Sequence, residues 1–473
     1  MDMKKLFKYI LIAGIFFTTT SCEKLLESDP IISIDADNAL TSKEGFETAT
    51  VGAYSYLRAT PQYGEALVVY PEMLGNTATH SGRGTTLLNL SNNARGSHMS
   101  TWQTGYEAVA QINIILDALA EFEADQTWKN SVAGQLHFLR ALFFHNMAKV
   151  YGYDPTAIGS TNRGTVPLNL KGTPSLEEIE HLPRATQEEM YTQLYADLEA
   201  AYTELEGTSA NRAPHFVTQG AVAAFFTRVA LYNGDYAKVI SMADSALNSG
   251  VGKFSTTTSY VSDWRQDTHP ESMFEVEFKV DQNVGVNNAP RAHFTNRASI
   301  DTDEPHGRGN AMVSDDLFAL YQENDVRRGL IMKGVGDAVE DNQMTKFMGQ
   351  SDNLNTDNIP VIRISEVYLN RAEAYARSGQ NDLAMDDVNK IRERAGLAPV
   401  SGLSEDNLID EVLLQRKLEL AFEGHSFFDY KRLGLDIDKP TGRVFPFSDY
   451  RVLARIPWRE FNANKQIRQN RGY

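Results

Sequence analysis

Apolar residues recur along most of the chain at intervals of three and four, the spacing that gathers them on one face of an α-helix. Residues 105–122 carry Val109, Ile112, Ile115, Leu116 and Leu119 in that register. The segments Leu136 to Val150, Glu188 to Leu205, Val217 to Asn233 and Tyr236 to Leu247 repeat it, and each is predicted to be a helix with a buried face. Strand signals are few. Residues 274–280 alternate apolar and charged (Phe-Glu-Val-Glu-Phe-Lys-Val), which predicts a half-buried strand, and a second extended piece is expected around Val361 to Ile364. Between them, residues 281–312 are rich in Asn, Gly, Pro, His and Arg, and residues 60–101 hold Gly64, Gly75, Gly82, Gly84 and Gly96. Both stretches predict long irregular excursions, which in a folded protein are often functional.

Three helical segments share a pattern centred on an arginine: Arg140, Arg228 and Arg371. After the second and third, a turn at Gly234 or Gly379 leads into another amphipathic segment, through Ala237, Ile240 and Ala243 or through Ala384, Val388 and Ile391. That is helix–turn–helix logic of the tetratricopeptide kind, in which small residues let paired helices approach. The repeats lie too far apart for an uninterrupted solenoid, so they read as scaffold rather than as a peptide-binding groove. The predicted fold class is mainly α, with tetratricopeptide-like helical hairpins forming a scaffold, long irregular loops and a few short strands.

The first residues do not belong to that body. Lys4, Lys5 and Lys8 precede an apolar run from Tyr9 to Phe17, too short to span a bilayer but fit for the core of a secretory signal. Small polar residues Thr18 to Ser21 follow, and then Cys22, the single cysteine of the chain. This arrangement predicts a lipoprotein signal peptide over 1–21, lipidation of Cys22, and a mature body over 22–473, divided into an N-terminal helical half (22–250) and a C-terminal half (251–473). With one cysteine, the mature chain cannot form an internal disulfide and depends on core burial for its stability.

Composition narrows the function. Lys plus Arg is 45 against Asp plus Glu 62, a net charge of −17 over 473 residues, with 10% aromatic residues. No basic run stands out in the sequence, so binding to nucleic acid through its phosphates is not expected. Signatures of a zinc hydrolase, a serine hydrolase or a phosphate loop are missing, and neither a cofactor nor a metal is expected. Asp301-Thr-Asp303-Glu304 lacks the glycine and later glutamate of a calcium hand and reads as a solvated turn.

Longer motifs carry a resemblance. VYLNRAEAYARSG (367–379), DDVNKIRERAGL (386–397), EVLLQRKLELAFEGHSFFDYKRL (411–433) and the tail LARIPWREFNANKQIRQNRGY (453–473) resemble the SusD/RagB family. CEKLLESDP (22–30) and the Trp102…Tyr106…Ile112-Asn113 helix extend the likeness towards the N-terminus. Gln415, Ser426 and Phe427 stand where that family often has Glu, Arg and Trp. The resemblance implies a surface-exposed outer-membrane lipoprotein, not an enzyme, that captures an oligosaccharide and passes it to a SusC-like TonB-dependent transporter. The competing readings are a peptide-binding member of the same uptake family, a lipid-anchored glycoside hydrolase, and an assembly scaffold that grips a partner through its hairpins.

A sugar ring offers an apolar face and a rim of hydroxyls, so its capture calls for aromatic platforms beside fork-shaped or amide donors. Both irregular stretches hold that mix: Tyr63, Tyr70, His80, Arg83 and Asn92, then Arg291, His293, Phe294, His306 and Arg308. Trp102 closes the first stretch, where its Trp-x3-Tyr setting also suits packing. The expectation is one shallow exposed site where the two stretches converge, with aromatic rings as platform and Arg and His on the rim.

Overall fold

Each segment with three- and four-residue apolar spacing folds as a helix in the computed structural model, which describes residues 39–173, 179–208, 211–349 and 353–473. The signal segment and Cys22 lie outside the described residues. The longer N-terminal helices are α1 (Lys43–Ser55), α2 (Ala66–Leu74), α3 (Trp102–Glu121), α4 (Gln126–Tyr151), α5 (Gln187–Glu204), α6 (Gln219–Asn233) and α7 (Tyr236–Asn248). A short helix α8 (Pro290–Phe294) sits inside the second irregular stretch. The C-terminal part adds α9 (Ile364–Arg377), α10 (Asn381–Arg394), α11 (Glu405–Glu419) and α12 (Ser426–Leu433). Side-chain caps set several of the starting points: Asp125 accepts from Trp128 N, Thr186 and Glu189 form a capping box, and Thr218 accepts from Ala221 N. Helix α6 ends at Gly234, whose φ of 73° is the left-handed conformation that lets the chain reverse into α7.

The arginine pattern now has a physical meaning. Helices α4 and α5, α6 and α7, and α9 and α10 pack as hairpins, and α7 also packs on α9. Arg140 of α4 grips Asp197 of α5 with two parallel bonds of 2.9 and 2.6 Å. Arg371 of α9 grips Asp387 of α10 at 2.7 and 2.8 Å. Arg228 of α6 reaches past its own hairpin to Glu366 of α9, at 2.7 and 2.6 Å. Two of the repeats therefore close their own hairpin, and the third joins two hairpins together.

Strands are short and occur in antiparallel pairs: β1 (Ala78–His80), β2 (Ser272–Val276), β3 (Ala311–Val313), β4 (Ile331–Lys333), β5 (Asn342–Met344) and β6 (Ile359–Arg363). β1 pairs with β3, β2 with β6 and β4 with β5. The expected strand at 274–280 begins two residues earlier and stops at Val276, because Asn358 Oδ1 takes the Phe278 N–H and ends the ladder. It is also buried throughout rather than on one face. Glu275 is enclosed, with the His269 N–H at 3.2 Å and the Ser272 hydroxyl on its Oε2. With no cation facing it, burial pushes this carboxyl up to about 7.

Beside β6 lies a second kind of core. Arg363 reaches Glu271 at 2.9 Å, Glu419 at 2.8 Å and Glu423 at 2.7 Å, Arg394 reaches Glu419 at 2.6 Å, and Lys346 reaches Glu423 at 2.6 Å. Arg327 adds Asp325 at 2.7 Å, and its Nη2 donates to Gln415, the residue standing where the family often has Glu. Burial alone would raise the Glu271 carboxyl, but Arg394 and Arg363 overcome it and pull it down to about 2. The largest cluster of buried apolar residues runs from Phe46 to Ile467, so both ends of the described chain share one core.

The final residues close over the end of α4. Asn470 Nδ2 donates to the Tyr151 and Ala454 carbonyls at 2.9 and 2.8 Å, Gln469 exchanges two bonds with Ile456, and the Tyr473 hydroxyl donates to Leu453 O. Gly472 has a φ of 92°, and a Cβ there would stand 2.2 Å from the Tyr450 ring. Only glycine fits that approach.

Candidate functional site

The two irregular stretches come together. β1 from the first pairs with β3 from the end of the second, His80 opposite Ala311 and Ala78 opposite Val313. Beyond the strands, Ser81 N donates to Asn310 O at 3.2 Å, and Ser314 N to Thr77 O at 3.0 Å. Helix α2 holds β1 in place: buried Glu72 accepts from Gly424 N at 2.8 Å and His425 N at 3.1 Å, and from the Thr77 hydroxyl. Lys439 caps the same C-terminal end of α2 through the carbonyls of Met73, Leu74 and Gly75.

Thr86 is the meeting point of the polar side chains. Its carbonyl lies 2.9 Å from His80 Nε2 and accepts from Asn310 Nδ2 at 3.2 Å, and its hydroxyl accepts from Arg308 Nη1 at 2.9 Å. Gly82 N donates to His80 Nδ1 at 3.0 Å, so the bonds assign the neutral tautomer with its proton on Nε2. Burial and the nearby Arg83 cation both lower the pKa of this imidazole. Arg83 donates to Gly309 O at 3.2 Å and pairs with Asp341, and Arg308 also reaches Asn287. One guanidinium from each stretch thus crosses to the other: exposed Arg308 meets Thr86, and half-buried Arg83 meets Gly309 beside it in the chain.

Beneath them, buried His293 of α8 sits 3.0 Å from Glu65 Oε1 and 2.9 Å from Asn310 Oδ1. Tyr70 is half-buried, and burial together with the Glu65 carboxylate raises its hydroxyl pKa. Glu65, Thr86, Asn310 and Asp341 complete this junction, and none of them carries a local sequence signal. Their role comes from contacts between residues more than two hundred positions apart.

The expected aromatic platform is not built from the residues named for it. Phe294 is buried edge-on against Phe422 at 4.8 Å and lies beside Phe347. Tyr63 is buried, its hydroxyl accepting from Asn146. Trp102 packs against Tyr151 and Tyr106, in keeping with its helical setting. Arg291 is buried beside Asp357 and donates to Ala298 O. For the three rings the apolar surface is worth more inside the core than at a rim, whereas Arg291 is held inside by its polar partners. His306 is exposed and lies 3.4 Å from Asn355 Nδ2, and Asn92 is exposed and bonds to Leu88 O within its own turn. The acidic turn is exposed as read, with Asp303 taking Arg297 at 2.7 Å. What the junction presents is a polar rim of hydrogen-bond donors around a half-buried tyrosine.

Comparison with known proteins places the architecture. The model of the SusD family matches residues 341–473, and one described as "starch-binding associating with outer membrane" matches residues 25–231. A SusD-like protein of Formosa agariphila is 23% identical over 99% of this chain and all of its own length. The starch-binding protein SusD of Bacteroides thetaiotaomicron is 23% identical over 100% of this chain and 99% of its own. A solved SusD superfamily structure from Bacteroides thetaiotaomicron superposes with a TM-score of 0.79 at 23% identity, covering 91% of this chain and 99% of that one. With one model matching each end and relatives matching from end to end, the chain belongs to the SusD family.

Proposed function

We propose that this protein is a surface-exposed outer-membrane lipoprotein that binds oligosaccharide and delivers it to a SusC-like TonB-dependent transporter, without catalysing a reaction itself. Residues 1–21 serve as the signal peptide, Cys22 carries the lipid, and 22–473 form the mature body. The observation that carries the reading is the junction of the two distant loops, where Arg308 crosses to Thr86 and Arg83 crosses to Gly309, so that both forks stand on the same seam. Sugar hydroxyls accept from such donors, and half-buried Tyr70, next to Glu65, is the aromatic ring of the same region. Starch binding by the relative from Bacteroides thetaiotaomicron supports a glycan over a peptide.

The test is a panel of starch, laminarin and peptide fragments titrated against the wild type and an Arg83→Ala/Arg308→Ala variant. Glycan affinity is expected to fall about tenfold or more, the loss of one or two charge-assisted bonds. Unchanged glycan binding by the variant sinks the site assignment, and binding of peptides alone sinks the glycan reading. Cys22→Ala should release the protein from the membrane fraction, and gentle detergent extraction of the wild type should co-purify the transporter.

A further inference from the structure

A different part of the surface gathers positive charge that the sequence keeps apart. Arg163, Pro183, Arg184, Lys465, Gln466 and Arg468 line an open hollow of about 400 Å³ with no carboxylate in its wall. Four cations thus meet in a chain whose net charge is −17. Elsewhere most buried arginines stand against an acid. Here, among the described residues, neither Arg163, Arg184, Lys465 nor Arg468 has a carboxylate within ion-pair distance.

The bonds these residues do make divide them by role. Arg184 is used up by neutral oxygens: Nε donates to Thr165 O at 2.7 Å, Nη2 to Tyr151 O and Gly164 O at 2.8 and 2.6 Å, and Nη1 to Arg468 O and Asn470 Oδ1 at 3.1 and 2.8 Å. Its charge is fixed in the wall but uncompensated. Burial and the neighbouring Arg163 cation lower its pKa to about 10, so the two guanidiniums repel each other. Arg163 is exposed and commits only Nη1, to Gln469 O at 2.9 Å. The exposed Arg468 side chain makes no hydrogen bond among the described residues. The hollow therefore has a fixed positive floor and free donors on its rim, an arrangement that an entering anion would stabilise.

Trp458, 66% exposed, has its ring 6.0 Å from that of Phe461, whose carbonyl accepts from Lys465 Nζ of the hollow at 2.8 Å. It is the most exposed of the large apolar side chains among the described residues, and a half-open aromatic face is the natural seat for a sugar ring. We infer that this face is a second ligand site, which takes an acidic oligosaccharide by seating a sulfate or carboxylate substituent in the hollow lined by Arg163, Arg184, Lys465 and Arg468. The overall charge favours a short ligand over an extended anionic surface, because a duplex or an anionic bilayer would also meet the acidic remainder of the molecule. The inference rests on the glycan-binding reading for the sugar body and on the hollow alone for the anion.

The experiment titrates the full chain with a sulfated carrageenan tetrasaccharide, with tetragalacturonate, and with neutral laminaritetraose. The wild type should bind at least one acidic probe, and more weakly as salt rises from about 50 to about 500 mM. Arg163→Ala/Arg468→Ala should weaken that binding about tenfold or more while leaving thermal stability and the laminaritetraose titration unchanged. Trp458→Ala should weaken the acidic tetrasaccharide several-fold. Sulfate-only or carboxylate-only binding identifies the substituent and supports the site. Acidic binding that the double variant retains overturns it, as does binding of neither acidic probe while laminaritetraose binds. Binding only to phosphatidylglycerol–phosphatidylcholine vesicles makes the face a membrane contact and overturns it as well. Failure of laminaritetraose alone, with acidic binding dependent on Arg163 and Arg468, counts against the Thr86 junction and not against this hollow.

Discussion

Arginine does opposite things in two regions of this molecule. In the helical hairpins, Arg140, Arg228 and Arg371 each hold a carboxylate with two parallel bonds across a helix–helix seam. In the hollow beside the C-terminal tail, Arg163 and Arg184 bond only to neutral oxygens and face each other. The side chain is the same; the partner decides whether its charge is spent inside the fold or left for something outside it. A buried guanidinium without its carboxylate is a defect, whereas an exposed one without a carboxylate is an opportunity.

The sharpest way to break the contrast is to remove a partner from the interior. Arg228→Ala leaves Glu366 buried without its guanidinium, and chemical denaturation should show a loss of about 3–5 kcal/mol. Next comes acidity. Glu373, beside Arg432, is pulled down to about 2, so its contribution is present above the ordinary 4.5 and is lost as pH falls towards 2. Glu275 faces no cation and is raised to about 7, so its contribution is present below 4.5 and is lost as pH rises through 7. Denaturation at about pH 5 and about pH 8 should show the Glu275 carboxyl costing up to about 3 kcal/mol at the higher pH. Glu275→Gln should flatten that slope.

A smaller effect tests the placement of Phe294. Phe294→Leu should cost about 1–2 kcal/mol through lost packing against Phe422, where an exposed platform residue would cost almost nothing. The smallest effect is expected in the hollow itself: Arg163→Ala/Arg468→Ala should change stability by no more than about 0.5 kcal/mol. A large loss there would move these arginines into the structural class.

The same contrast sets what could be read from the sequence. Helices α3 to α7 were legible because their apolar spacing is local, and the motifs at 367–379, 386–397 and 411–433 with the tail carried the family. The alternation at 274–280 marked a strand correctly but misjudged its exposure, because covalent order does not reveal that β6 and neighbouring polar groups enclose Glu275. The composition of the loops suits ligand binding, yet Phe294 and Tyr63 fold inward, since a local pattern cannot tell a ring on the rim from one in the core. The pairing of His80 with Ala311 and the bond from Arg308 to Thr86 join positions that share no local signal. The basic hollow is the extreme case: segments nearly three hundred residues apart supply its walls, so a chain with no basic run still has a basic site.

The bonds of Asn470 to Tyr151 and Ala454 also set an order of events during synthesis. Residues near 470 leave the ribosome some three hundred residues after the end of α4, yet they close that end. Until they arrive, the carbonyl ends of α4 and the apolar groups beneath Ile456 and Ile467 stay open to solvent. The nascent chain therefore cannot complete this part of its core before residue 470 is made. A chain cut short ahead of Asn470 would leave the end of α4 unclosed, and a protease could tell it from the finished molecule.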